Sequence, residues 1–133
     1  MLCVVGGKMS EGIDFKDELA RCVVMVGLPF ANPSDAELRL RMRFLEDTVA
    51  KGAGRTHYQN LCMRAVNQAI GRAIRHKRDF GAILLCDERY LKRADVHNAL
   101  PQWIRRSHHS CHSFGDAFQR YSKFMRQMNA ENE

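Results

Sequence analysis

Short, continuous apolar runs separated by helix-like segments are the feature that most restricts the possible folds of this chain. Three such runs occur, at residues 2–5, 22–26 and 82–86. A continuous rather than alternating run is typical of a strand buried on both faces of a parallel sheet. Strands that alternate with helices indicate an α/β layered domain. The sequence therefore predicts three strands in a mainly parallel sheet, within a three-layer α/β sandwich.

Helical periodicity fills the segments between and after these runs. Over 36–50, apolar residues recur every three or four positions, and Ser34 and Asp35 precede them as candidate N-terminal caps. A second helix is predicted over about 57–76, and a third, amphipathic one over 113–129. We interpret the apolar stripe of the third helix as core packing. Its members are Phe114, Phe118, Tyr121, Met125 and Met128.

The predicted helix over 57–76 carries a basic face. At about 100° per residue, Gln68, Arg72 and Arg75 point within roughly 60° of one another, and Arg64 lies one turn earlier. The opposite side is apolar and is expected to face the core, through Met63, Val66, Ile70 and Ala73. Guanidinium groups without neighbouring carboxylates favour an anionic ligand, usually phosphate. A solvated basic face is the alternative.

Gly71 lies inside this predicted helix. A glycine in a helix interior costs about 1 kcal/mol relative to alanine. Close approach of a ligand or of a neighbouring element would compensate for that cost. We therefore include Gly71 among the candidate ligand-binding residues.

Bulk properties restrict the class of protein further. At 133 residues the chain is one domain at most, and its net charge of +6 favours an anionic partner. No apolar stretch approaches the roughly 20 residues that span a bilayer, and no signal peptide is visible. Three of the five cysteines lie in apolar segments, which favours reduced, buried thiols. An iron–sulfur cluster needs four thiolates with clustered spacing, which these cysteines do not provide.

The run Gln68-x-x-Gly71-Arg72-x-x-Arg75 resembles motif VI of superfamily 2 helicases. Residues 6–15, GGKMSEGIDF, resemble motif V of the XPD-like iron–sulfur DNA helicases. The two segments stand in the order and at the rough separation that this family uses. Further similarity is found at 24–30, 60–67 and 100–105. The amino-acid sequence of these segments is closest to the chromosome-loss branch, the cohesion-associated helicases. The resemblance thins at 31–57 and after 106.

The resemblance implies that residues 1–133 are the C-terminal portion of the second RecA-like lobe of an ATP-dependent DNA helicase. The complete enzyme would couple ATP hydrolysis to 5′-to-3′ movement along single-stranded or forked DNA. Arg75 would be the arginine finger, Arg72 a second γ-phosphate contact, and Gln68 would orient the phosphates or the attacking water. The P-loop, the carboxylates that hold Mg²⁺ and the iron–sulfur cluster would belong to the absent first lobe.

The glycine-rich segment 6–15 follows the first predicted strand, where open α/β sheets bind ligands. In the family this loop touches the nucleic-acid backbone on one side and senses the nucleotide on the other. By position, the candidates for nucleotide coupling are Glu11, Gly12 and Asp14, and those for DNA contact are Gly7, Lys8 and Ser10, to which the basic face adds Arg64. A tight structural turn is the alternative.

Two further patterns imitate nucleotide-binding motifs. Gly7-Lys8 lacks the upstream glycine and the following Ser or Thr of a P-loop. The pair Asp87-Glu88 after the run 82–86 imitates a Walker B strand, but we interpret it as a strand end with a helix cap.

The segment 105–112 is interpreted as a polar connection. Its three histidines and Cys111 are nearly contiguous, whereas zinc ligands come in spaced pairs, so no metal site is predicted. Trp103, followed by Arg105 and Arg106, is either an aromatic anchor to the core or a surface that stacks a base and binds phosphates.

We expect the isolated chain to have no measurable ATPase, because the P-loop and the DEAH box would lie in the absent part. The alternative is a non-catalytic nucleic-acid-binding or regulatory protein, which predicts salt-sensitive DNA binding without nucleotide dependence. The family implies a nuclear location, the first helicase lobe as a partner and chromosome-cohesion factors as further partners, with no membrane association.

Overall fold

The computed structural model describes residues 2–7, 21–74 and 79–132. Within these ranges the chain forms a parallel sheet flanked by helices. The order is β1 (Cys22–Val26), α1 (Ala36–Thr48), α2 (Ala53–Ile70), β2 (Ala82–Cys86), α3 (Arg89–Lys92), α4 (Ala94–Asn98), α5 (Gln102–Ser107) and α6 (Phe114–Asn132). No helix in the described ranges is long and apolar enough to cross a membrane.

The two strands occupy the predicted positions 22–26 and 82–86. They pair in parallel, in a register that runs from Cys22 opposite Ala82 to Val26 opposite Cys86. The crossover between them contains α1 and α2, as a parallel pair requires. The predicted α/β class with a parallel sheet is therefore confirmed.

The predicted strand at 2–5 is wrong. These residues have no sheet partner among the described residues, and Leu2 and Val4 are exposed. A turn follows instead, in which the Gly7 amide donates to the Val4 carbonyl oxygen over 3.0 Å and Gly6 has φ of +80°. Glycine adopts that left-handed conformation without steric cost.

One face of the sheet is covered and the other is open in the described part of the chain. On β1, Met25 is buried, whereas Val24 and Val26, which point to the opposite side, are exposed. The expectation that both faces of the strands are covered is thus wrong for β1 in these residues. The three-layer arrangement stays a prediction.

The core lies between the covered face of the sheet, α2 and the short helices that follow β2. Helix α2 contributes four buried residues to this core, because the apolar side of the helix faces the sheet. The cluster comprises Met25, Leu28, Cys62, Met63, Val66, Ile70, Tyr90, Val96, Leu100 and Ile104. It places the C-terminal half of α2 at the centre of the domain.

Helices α1 and α2 form a tightly connected pair. Asp35 Oδ1 accepts a 2.8 Å hydrogen bond from the Leu38 amide, which confirms the predicted cap at the start of α1. Glu46 accepts hydrogen bonds from the amides of Gly52 and Gly54 at the start of α2. A Cβ on Gly54 would overlap the Met42 carbonyl oxygen, so only glycine allows this close approach.

The C-terminal helix has the predicted position but not the predicted packing throughout. Tyr121, Met125 and Met128 are half-buried, whereas Phe114 and Phe118 are 84% and 57% exposed and stack on each other. The core-packing interpretation is therefore wrong for these two phenylalanines. Periodicity identifies an apolar stripe but not what covers it.

Two smaller expectations are also revised. The first three residues of the predicted polar connection at 105–112 still belong to helix α5, which ends at Ser107. Of the cysteines, Cys62 is buried, whereas Cys3 and Cys86 lie in the apolar runs and are exposed. Burial of the thiols was therefore wrongly expected for these two.

Candidate nucleotide and DNA interface

Helix α2 has one apolar and one polar side, as its sequence predicts. Met63, Val66, Ile70 and, beyond the end of the helix, Ala73 are all buried. Arg64 and Gln68 lie one turn apart on α2 and are exposed. Neither side chain has a hydrogen-bond or ion-pair partner among residues 2–7, 21–74 and 79–132. Their side chains can therefore bind a ligand without first breaking an internal bond in that part of the chain.

The helix ends earlier than predicted. Its last residue is Ile70, and Gly71 is its C-terminal cap rather than an interior residue. The amides of Arg72 and Ala73 donate hydrogen bonds to the carbonyl oxygens of Ala69 and Ile70, each three residues earlier in the chain, and this tightens the final turn. Arg72 therefore lies in a turn, and the prediction that it shares a helical face with Gln68 is wrong.

The conformation of Gly71 gives no reason for a glycine. Its φ of −61° and ψ of −11° lie in the right-handed region that any residue adopts. It is exposed, and a Cβ would lie 3.2 Å from the Asn67 carbonyl oxygen, a distance that a small shift relieves. Close approach of a ligand therefore remains the prediction for this position.

The segment after α2 is anchored to the start of both strands. A Cβ on Gly81 would lie 2.9 Å from the Ala73 carbonyl oxygen, so glycine permits this contact. Arg21 Nη1 donates to Asp79 Oδ1 over 2.6 Å and to the Phe80 carbonyl oxygen over 3.0 Å. The Arg21 guanidinium also lies 4.1 Å from the centre of the Phe80 ring. These contacts fix the described residues at both ends of the segment that follows α2 and carries Arg72 and Arg75.

Sequence reasoning missed Arg21, Asp79 and Gly81. Arg21 and Asp79 are 58 residues apart, and no local spacing links them. Gly81 precedes an apolar run, which is a weak signal for a close backbone contact.

A second polar group lies at the carboxyl ends of the strands. Arg89 Nε and Nη2 donate to both oxygens of Asp87 over 2.9 and 2.7 Å, and the Arg89 amide donates to Asp87 Oδ1. These hydrogen bonds from Arg89 lower the pKa of Asp87 to about 2. Asp87 thus follows the strand end, as predicted, and its carboxylate is already bound by an arginine. The N-terminal cap residue of α3 is Glu88, which makes no side-chain cap hydrogen bond.

Tyr90 closes the same end of the sheet. Its hydroxyl donates to the Gly27 carbonyl oxygen over 3.1 Å, and burial raises its pKa to about 12. The hydroxyl therefore remains protonated and keeps this bond at neutral pH. Gly27 has φ of +76°, and its amide donates to the Cys86 carbonyl oxygen, so the two strand ends are tied together.

Six of the predicted site residues lie outside the described residues. They are Lys8, Ser10, Glu11, Gly12, Asp14 and Arg75. Of the remaining candidates, Gly7 closes the turn at 4–7, Arg72 is half-buried, and Arg64, Gln68 and Gly71 form an exposed surface at the end of α2.

The histidines near the end of α5 do not form a metal centre in the described part of the chain, where no group of three or more His, Cys, Asp or Glu side chains is placed to hold an ion. His97 and His108 contact each other, with ring centres 5.6 Å apart. Burial, together with the neighbouring His97 and His109, lowers the pKa of His108.

These features define an α/β domain with a parallel sheet, whose central helix ends in an exposed surface formed by Arg64, Gln68 and Gly71. The chain belongs to the helicase C-terminal domain family, which matches residues 1–107. The predicted resemblance is confirmed, and helix α6 lies beyond the matched residues.

Curated relatives place the chain within one branch of that family. It is 50% identical to DDX11-like protein 8 of Homo sapiens over 99% of the chain and 15% of the relative. It is 47% identical to the ATP-dependent DNA helicase DDX11 of Danio rerio over 93% of the chain and 14% of the relative. Identity to the ATP-dependent DNA helicase chl1 of Schizosaccharomyces pombe is 42% over 95% of the chain and 16% of the relative. The chain thus spans about one-seventh of the length of these relatives.

Proposed function

We propose that this chain is the C-terminal portion of the second motor lobe of an ATP-dependent DNA helicase that moves 5′ to 3′ along DNA. The observation that carries the proposal is the 42–50% identity to named helicases over nearly the whole chain. The exposed Arg64 and Gln68, which have no partner among the described residues, support it, because both types of side chain bind phosphate oxygens.

On the nucleotide side, Arg75 is the arginine finger and Arg72 a second γ-phosphate contact. Gln68 orients the phosphates or the attacking water, and Gly71 leaves space for the nucleotide at the helix end. An arginine finger accelerates phosphoryl transfer by on the order of 10³–10⁵-fold in related systems. The contacts of Gly81 with Ala73 and of Arg21 with Asp79 support this assignment, because they hold the segment that presents these arginines.

On the DNA side, Gly7, Lys8 and Ser10 contact the nucleic-acid backbone, with Arg64 as a further phosphate contact. Glu11, Gly12 and Asp14 couple this loop to the nucleotide. The turn at Val4–Gly7 supports the assignment, since it begins the loop with a glycine in a left-handed conformation. Each ATP hydrolysis then alters the grip of the loop on DNA.

The carboxylates of this chain do not fit a Mg²⁺ site in the described residues. Asp87, which follows a strand as a metal-binding carboxylate would, is bound by Arg89 through both oxygens. We therefore assign the ligands of the Mg²⁺ that accompanies ATP to the first lobe of the helicase. The cysteines of the chain likewise do not suit a cluster, and an iron–sulfur cluster is assigned to the same lobe.

The partners follow from this assignment. They are single-stranded or forked DNA and the first helicase lobe, with chromosome-cohesion factors as further candidates, and the location is the nucleus. The isolated chain then binds DNA but has no measurable ATPase.

A chimera tests the proposal directly. The chain replaces the matching segment of the Danio rerio relative, and ATP-dependent unwinding of a 5′-tailed forked DNA is measured. We expect the chimera to unwind DNA. A folded chimera that binds DNA but neither hydrolyses ATP nor unwinds DNA would support a non-catalytic binding protein instead.

A further inference from the structure

Helix α5 presents the only tryptophan of the chain to solvent. Trp103 is 45% exposed, whereas its neighbour Ile104 is buried and belongs to the core cluster. Ile104 thus anchors α5 to the core, whereas almost half of the Trp103 surface stays exposed. A large aromatic surface that the fold leaves in water is available for a partner.

Two arginines accompany this tryptophan. At about 100° per residue, Arg106 lies about 60° from Trp103 around the helix, whereas Arg105 lies about 160° from it, on the other side. Both arginines are exposed and have no ion-pair partner in the described part of the chain. Because no carboxylate neutralises Arg106 there, the patch formed by Trp103 and Arg106 suits a polyanion.

Single-stranded DNA suits the patch better than a duplex does. Bases in a single strand offer free π faces, which stack on aromatic side chains, while arginines bind the flanking phosphates. In a duplex the bases are already stacked on each other. With only six residues, α5 also presents just one aromatic side chain and, beside it, one guanidinium group.

The patch is tied to the DNA-side surface of α2. Asn67 Nδ2 donates to the Ala99 carbonyl oxygen over 3.0 Å, just before α5 begins. Arg64 is three residues before Asn67 and therefore lies about 60° from it around α2. The contact with Ala99 thus brings α5 to the side of α2 adjacent to Arg64.

We propose that Trp103 and Arg106 form a second contact for single-stranded DNA, outside the segments 6–15 and 68–75. Trp103 stacks on a base and Arg106 binds an adjacent phosphate. The inference rests on the proposed function only in that the chain binds DNA. It extends the path of the bound DNA strand from Arg64 to α5.

The single tryptophan allows a direct test in the 133-residue chain, with circular dichroism to verify folding. Trp103 emission is titrated with oligo-dT, while binding is followed separately by the anisotropy of a labelled oligonucleotide. We expect the emission to be quenched as DNA saturates the protein and acrylamide to quench the bound form less. Unchanged emission and unchanged acrylamide quenching at saturation would overturn the proposal.

Variants give a second, independent measurement. Trp103→Ala is expected to weaken oligo-dT binding about tenfold, and Trp103→Phe to retain most of the affinity because its ring still stacks. Phe44→Ala is the matched control, since Phe44 is an exposed aromatic residue on α1. An affinity loss no larger than that of Phe44→Ala would contradict the proposal.

The same substitutions in the chimera make the test independent of whether the isolated chain folds. There, DNA affinity reports on the α5 contact and ATP hydrolysis on the proposed function. An inactive chimera that still loses affinity through Trp103→Ala would refute the helicase assignment and leave the DNA contact in place.

Discussion

Arg21 and Asp79 form a 2.6 Å ion pair that joins the start of β1 to the end of the segment after α2. The Asp79 side chain is 4% exposed and that of Arg21 25% exposed. Phe80 adds a carbonyl acceptor and an aromatic face for the same guanidinium. The pair therefore holds one end of the segment to which we assign nucleotide binding.

Removing the arginine should destabilise the domain strongly. Arg21→Leu removes one partner of the buried Asp79 carboxylate, which keeps its hydrogen bond from the Phe80 amide, and we expect a loss of about 1–3 kcal/mol in the free energy of unfolding. Urea unfolding measures this loss. Arg120→Leu is the control, because it removes the exposed pair of Arg120 and Asp116 and should cost far less stability. Equal losses in the two variants would contradict a structural role for the Arg21–Asp79 pair.

Gly81→Ala tests the contact between the segment after α2 and the start of β2. The added Cβ would meet the backbone oxygen of Ala73 at 2.9 Å, and relieving this overlap should cost about 1–3 kcal/mol of stability. Gly115→Ala is the matched control. Gly115 lies in α6, where a Cβ would make an ordinary 3.8 Å contact with Ser113, so alanine should stabilise that helix. If thermal or urea unfolding shows no loss of stability for Gly81→Ala, the contact between residue 81 and the Ala73 carbonyl oxygen is not tight.

The Asp87–Arg89 pair should make stability depend on acid pH. The pKa of Asp87 is about 2 in the folded chain against an ordinary 3.8, so the unfolded chain binds the proton more readily. This contribution is complete above about pH 4 and is lost as the pH falls towards 2. In Arg89→Met the pH dependence from this carboxylate should shrink. Lys92→Met, which removes the exposed pair of Lys92 and Glu88, should leave it unchanged. Urea midpoints between pH 5 and pH 2.5 provide the measurement, and identical profiles for the two variants would refute the assignment.

Arg64→Gln should weaken DNA binding and reduce its salt dependence. Loss of one phosphate contact lowers the slope of log affinity against log salt by about 0.7 for a single strand. Arg55 provides a matched control, since it is exposed on the same helix and nine residues away, which places it on the opposite side. Fluorescence anisotropy at several salt concentrations measures both slopes. A slope equal to that of Arg55→Gln would mean that Arg64 does not contact phosphate.

The elements that were predicted correctly are those defined by local patterns. The runs 22–26 and 82–86 are strands, and the cap at Asp35 and the buried side of α2 follow the predicted spacing. The run 2–5 looks the same in composition. It is not a strand because a strand also needs a hydrogen-bonded neighbour, which composition does not reveal.

The candidate site illustrates the same distinction. Spacing placed Arg64 and Gln68 correctly on the polar side of α2, but it extended the helix through Gly71. Glycine is as compatible with a helix end as with a ligand contact inside a helix, so its identity does not distinguish the two. The Arg21–Asp79 pair depends on two segments that meet only in the folded domain, and a single sequence contains no signal for it.

The most direct test of the account is the steady-state ATPase rate of the chimera with the Danio rerio relative, in the presence of single-stranded DNA. We predict that Arg75→Ala lowers the rate at least a hundredfold, as expected for loss of an arginine finger, while DNA binding and the urea midpoint remain unchanged. Arg55→Ala, on the far side of α2, should retain the full rate. An Arg75→Ala chimera that hydrolyses ATP as fast as the Arg55→Ala control would contradict the assignment of this segment to catalysis.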